Sequence, residues 1–156
     1  MRRAEISKQL QEAIMKAYCE VCDKCWTYGE AFAKIAKMPA PRYFVSEKQA
    51  RMMLSPMMKG DFDQVNLLPP NKRRMYYSLF QKVVEMSESY QYRGKSLSYI
   101  VRHAVLEPAP EFFLKPFSLY FIRLMIKHGY IDESGRCTRP ISKKNDRRRQ
   151  RHTAQQ

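Results

Sequence analysis

PAPRYFVSEKQARMMLSPMMKG, residues 39–60, returns 69 positions later as PAPEFFLKPFSLYFIRLMIKHG, residues 108–129, without a gap. Pro39, Ala40, Pro41, Phe44 and Gly60 recur as Pro108, Ala109, Pro110, Phe113 and Gly129, and Tyr43 and Val45 recur as Phe112 and Leu114. A repeat is one supersecondary unit used twice, so it constrains architecture before any propensity is counted. The flanking helices align at the same offset, Phe32 with Val101 and Ala36 with Val105. The unit is a helix, a PAP corner, a short extended piece and a capped helix, over about residues 27–60 and 96–129.

Outward from the repeat, residues 3–37 predict one long helix or two, with Ile6, Leu10 and Ile14 on one face. Gly29 is the expected weak point, and Pro39 and Pro41 end the segment. Residues 42–45 and 111–114 are short β-rich runs that could pair across a pseudo-two-fold axis. Alternation puts Phe44 and Phe113 in the core and leaves Tyr43 and Phe112 partly exposed. Ser46-Glu47-Lys48-Gln49 fits a capping box. The helix it opens is expected to kink or end near Ser55, because of Pro56, with Gly60 as its stop. Residues 61–69 read as a loop.

A connecting helix is expected from Pro70 to about residue 88. Its apolar stripe combines the rows Met75, Leu79, Val83 and Tyr76, Phe80, Val84. Residues 87–95 form a linker. Ser96 caps a further helix to about Leu106, and a fifth begins at Pro116, with Leu119, Ile122, Met125 and Ile126 inward. The fold class is therefore mainly α: about five helices and two short extended segments in one domain over residues 1–137. Residues 138–156 are expected to be a disordered basic tail.

The 156 residues hold 29 Lys and Arg against 15 Asp and Glu, a formal net charge of +14. Such a field attracts polyanions. Ten tyrosines, eight phenylalanines and Trp26 argue against a wholly disordered basic chain. Two basic clusters are the candidate nucleic-acid-binding residues. Lys72, Arg73 and Arg74 lie in the first turn of the connecting helix, where positive charge opposes the helix dipole. That locally unfavourable choice suggests phosphate contact. Arg139, Lys143, Lys144, Arg147, Arg148, Arg149 and Arg151 face one acid, Asp146. A basic arm of this kind neutralises phosphates and releases counterions.

Catalytic signals are weak. Cys19, Cys22 and Cys25 form C-x-x-C-x-x-C, and Cys137 is a fourth thiol. The intervening Glu-Val and Asp-Lys favour a helix, on which these thiols diverge. Structural cysteines beside a core-like Trp26 are expected, and no metal or other cofactor. His103, His128 and His152 lack metal-ligand spacing and are expected at the surface. Asp61 and Asp63 are assigned to a turn. GxSxG, P-loop and GxGxxG patterns are absent. No apolar run reaches the roughly 18 residues that span a membrane, and MRRAEISKQLQ lacks the apolar region of a secretory signal. A cytoplasmic, non-enzymatic protein with reduced thiols is expected.

MPAPRYFVSEKQARMMLSPMMKGD, followed by PNKRRMY and later by EPAPEFFLKPFS, resembles a family of small proteins of Bacteroidetes genomes, phages and mobile elements. The resemblance covers roughly residues 15–127. The family shows a PAPRF-aromatic-VS corner and a second PAPKFYL-like corner. Here Glu111 replaces the basic residue usual in the second corner, and Lys115 replaces a capping Ser or Thr. The resemblance implies a mobile-element context and carries no catalytic residues over. The charge makes DNA or RNA the expected partner. An acidic or helical protein is the alternative, met by a Met52, Met53, Met57 and Met58 surface on a structural or assembly subunit.

Overall fold

The computed structural model describes residues 3–115, 123, 125–129, 132, 136 and 137. The fold is mainly α. The described residues form α1 (Arg3–Val21), a 3₁₀ turn (Cys22–Lys24), α2 (Tyr28–Ala36), α3 (Glu47–Met58), α4 (Asp63–Asn66), α5 (Pro70–Glu88) and α6 (Leu97–Ala104). The N-terminal segment breaks at residues 22–27 and not at Gly29. The reason is Thr27, whose hydroxyl accepts the Glu30 amide at 3.4 Å and starts α2 afresh. Gly29 falls inside the first turn of α2. The loop expected at 61–69 contains the single turn α4.

Local signals set most other boundaries. Ser46 and Ser96 accept the Gln49 and Tyr99 amides at 3.2 Å, capping α3 and α6. Pro70 occupies the first position of α5, where its missing amide costs nothing. Pro56, however, does not end its helix: α3 continues through it to Met58. The bond that Pro56 removes is the one to the Met52 carbonyl, and Met52 is solvent-exposed, so water can replace it. The stop comes at Gly60, with φ 86°. There the Gly60 amide donates to the Met57 carbonyl and the Asp61 amide to the Pro56 carbonyl, both at 3.0 Å, a complete Schellman pair.

The chain contains two compact units. One comprises residues 1–13 and 38–114. Its core is built by Ala50, Leu54 and Met57 of α3, Tyr76, Leu79 and Val83 of α5, and Ile100, Val101 and Ala104 of α6. Helix α6 packs on α3 and α5, which also meet each other. The other unit comprises residues 14–37 and 115–156. It holds α2, with Ala31 and Ile35 buried, and a backbone bridge between Thr27 and Arg136. Each unit therefore draws helices from both repeat copies. The expected fifth helix starts outside the described residues. Its end is helical at 125–127 and closes on Gly129, φ 73°. Met125 is buried there, but Ile126 is exposed, against expectation.

The two PAP corners meet in the first unit. Ala40 and Ala109 exchange both backbone hydrogen bonds at 3.0 Å. Each alanine carries the one amide donor of its tripeptide, because proline has none. Both alanines are buried, so each donor needs a partner. The same prolines stop the bridge from growing into a ladder, and the described residues contain no strand.

The aromatic runs lie side by side beyond this bridge. Tyr43 stacks on Phe113 and Phe44 on Phe112, each pair with ring centroids 6.2 Å apart. The expected inward and outward residues are reversed: Tyr43 and Phe112 are buried, while Phe44 and Phe113 are half-buried. Strand alternation fails because the backbone turns. The Val45 amide donates to the Tyr43 carbonyl at 3.0 Å, closing a three-residue turn around Phe44. Phe113 has φ 55°, a left-handed conformation that is strained for an aromatic residue. The Asn71 side-chain Nδ2 donates to its carbonyl at 3.1 Å.

Arg42 anchors the first corner. It is 8% exposed. Its guanidinium donates to the Tyr43 carbonyl at 3.0 Å, the Val45 carbonyl at 3.4 Å and Gln9 Oε1 at 3.1 Å. Burial pulls its pKa below the ordinary arginine value, and the charge of Glu47 acts in the opposite sense. Arg42→Met should cost about 2–3 kcal/mol in urea unfolding, because buried carbonyls lose charged donors. Arg74→Met, which removes an exposed ion pair, should stay within about 0.5 kcal/mol of the parent. Equal losses would show that Arg42 does not hold the corner.

Candidate functional site

The three basic residues at the start of α5 do not act alike. Arg73 donates from Nη2 to the Leu68 carbonyl at 3.1 Å, and its buried Nε has no hydrogen-bond partner. Arg74 pairs with Glu111 at 3.0 Å, with both side chains partly exposed. Glu111 thus holds the Arg74 guanidinium in an intramolecular pair. Lys72 is exposed, and no hydrogen bond or ion pair engages it among the described residues. The first turn of α5 holds no acid and no side-chain cap, so the positive end of the helix dipole lies beside Lys72 uncompensated. Arg139, Lys143, Lys144, Arg147, Arg148, Arg149 and Arg151 lie outside the described residues.

Lys72 also borders a recess of about 480 Å³. Phe44, Met52, Met53, Leu68, Met75 and Tyr76 give it apolar walls, and Gln49 and Gln64 bring two primary amides to it. The expected methionine surface is thereby redistributed. Met52 and Met58 are exposed and Met53 is half-buried, but Met57 belongs to the core. Leu67, 86% exposed, adds apolar surface on the connection between α4 and α5. The Asp61 carboxylate accepts the Asp63 amide at 3.0 Å, the turn role assigned to this pair.

A second aromatic and cationic surface arises where the predicted linker meets α6. Tyr92, Tyr99 and His103 form a ring cluster with centroid distances of 4.6–6.1 Å, and Lys95 Nζ lies 5.3 Å from the Tyr99 centroid. Tyr90 is almost fully exposed, and Arg93 and Lys95 are exposed beside it in the chain. His103 is half-buried against these tyrosines, while His128 is exposed as predicted. His152 lies outside the described residues. The signal for this surface was present in the alternation Tyr90, Tyr92, Arg93, Lys95, Tyr99.

The cysteines belong to the second unit. The 3₁₀ turn ends the helical path, so Cys25 is extended, and the three thiols do not share one helix. Cys22 and Cys25 are buried; Cys19 and Cys137 are half-buried; none of the four forms a disulfide. Cys137 donates from its amide to the Trp26 carbonyl at 2.8 Å and from Sγ to the Thr27 carbonyl at 3.1 Å. Trp26 itself is 81% exposed and not the core neighbour expected. No group of three or more His, Cys, Asp or Glu suited to a metal ion occurs among the described residues. No described helix is long and apolar enough to cross a membrane. Comparison with protein-family models, curated proteins and solved structures finds no match to the chain.

Burial pushes the phenols of Tyr18, Tyr43 and Tyr76 above the ordinary tyrosine pKa; a bond to Cys137 adds to this at Tyr18, and a bond to Ser78 opposes it at Tyr43. Burial likewise raises the thiols of Cys25 and Cys137. At high pH the unfolded chain releases these protons first, so it binds fewer than the native state and stability falls. Urea midpoints should begin to drop near pH 8.5, as unfolded thiols ionise, and more steeply above about pH 10 with the tyrosines. Midpoints unchanged to about pH 11 would contradict this assignment.

Proposed function

We propose that this chain is a small, basic, non-enzymatic nucleic-acid-binding accessory protein of a phage or mobile element, acting in the cytoplasm. The excess of 29 basic over 15 acidic residues carries the reading. A net charge of +14 on 156 residues favours association with a polyanion through counterion release. Lys72 at the start of α5, and the basic residues from Arg139 to Arg151, supply phosphate contacts. Arg73 and Arg74 already hold protein partners, the Leu68 carbonyl and Glu111. The tyrosine-rich surface around Tyr99, with Arg93 and Lys95, supports contact with unpaired bases, which stack on aromatic faces beside cations. The mobile-element context rests on the resemblance of the PAP corners alone.

A second reading, a structural or assembly subunit that binds an acidic or helical protein, is favoured by the exposure of Met52 and Leu67.

The two readings separate in a salt series. The full chain and a chain truncated after Thr138 are titrated with duplex and single-stranded oligonucleotides from about 50 to 400 mM salt. The full chain should bind with a steep inverse salt dependence. Truncation should weaken binding and flatten the log–log slope by about 0.7–0.9 for each lost phosphate contact. No binding by either chain at about 50 mM salt overturns the nucleic-acid reading.

A further inference from the structure

We infer that the recess formed by α3, α4 and α5 receives one unstacked base of a single-stranded nucleic acid, with an adjoining phosphate at Lys72. This rests on the nucleic-acid reading above. An unstacked base makes three demands: apolar walls for its faces, paired donors and acceptors for its edge, and a cation for its phosphate. The recess answers each one. Phe44, Met52 and Met75 supply apolar and aromatic wall. Gln49 and Gln64 supply two primary amides, each both donor and acceptor, and no hydrogen bond engages either side chain among the described residues. Lys72 supplies the cation, and the uncapped start of α5 adds partial positive charge at the same edge. The volume of about 480 Å³ is that of a site for a single compact ligand.

The same features disfavour an amphipathic peptide helix as the occupant. Such a helix satisfies its own backbone and presents apolar side chains. It would cover both glutamine amides and leave them unpaired, which is unfavourable for buried polar groups. A base edge pairs with them in place of water. The recess also brings together residues that specify nothing singly: Gln49 follows a capping serine, and Gln64 lies in a one-turn helix.

The test uses the full chain and fluorescence anisotropy. Probes are single strands of about 12 nucleotides of thymidine or adenosine, and a strand of equal length made of abasic sugars. The parent should bind the best base-bearing strand about tenfold more tightly than the abasic strand. The double variant Gln49→Leu/Gln64→Leu should lose most of that difference while binding the abasic strand as the parent does. Lys72→Ala should weaken all strands alike.

Equal affinity of the parent for base-bearing and abasic strands overturns the recess but leaves the nucleic-acid reading standing. A base preference unchanged in the double variant also overturns the recess. Failure of every strand to bind at about 50 mM salt overturns both. Binding of an acidic amphipathic peptide that the two leucines strengthen makes the recess a peptide groove, and overturns the proposal.

Discussion

The reciprocal hydrogen bonds between Ala40 and Ala109 are the constraint from which the first unit is built. Two buried tripeptides each offer one amide, and each amide is satisfied by the other copy. That contact fixes where the two corners cross and sets Tyr43 against Phe113 and Phe44 against Phe112. It leads copy one into α3 and brings copy two in from α6, so that both helices enter one core with α5. Alanine permits the close approach of the backbones, and proline on either side confines the pairing to a single point.

What was legible in the sequence is what local chemistry decides. Ser46, Ser96, Pro70, Gly60 and Gly129 mark helix ends with groups that act within a few residues, and all five lie where their chemistry predicts. The errors arise where distant partners decide. Strand alternation assigned Phe44 inward, but a three-residue turn and a bridge between positions far apart in sequence rotate Tyr43 into the core. Pro56 breaks an isolated helix, yet α3 continues to a Schellman stop that satisfies its last carbonyls. Trp26 has the composition of a core residue and stands in solvent.

The candidate site divides in the same way. Lys72 was legible because an exposed cation in the first turn of a helix is locally unfavourable. Arg73 and Arg74 carry the same signal, but each also holds a partner within the chain, Leu68 and Glu111. No spacing in the chain announces the recess, since Phe44, Gln49, Gln64 and Lys72 converge from a corner and three helices. The surface around Tyr99 shows the reverse: its aromatic and basic residues are close in sequence, and the glycine and serines among them pointed only to a linker.

The reciprocal Ala40–Ala109 bonds are the pairing that a local dyad gives, here within one chain. In a homodimer built on such a dyad, every residue appears on both sides, and each surface is presented twice. A single chain escapes that rule. At one position it places Arg42, a buried cation clamping carbonyls, and at the equivalent position Glu111, a partly exposed anion neutralising Arg74. By sequence, the counterparts of Gln49 and Met52 are Ser118 and Phe121, and Lys72 lies on the connecting helix, outside the repeat. The motif is written twice and its corners bond reciprocally, but the side chains it carries differ between the copies, so each surface is presented once.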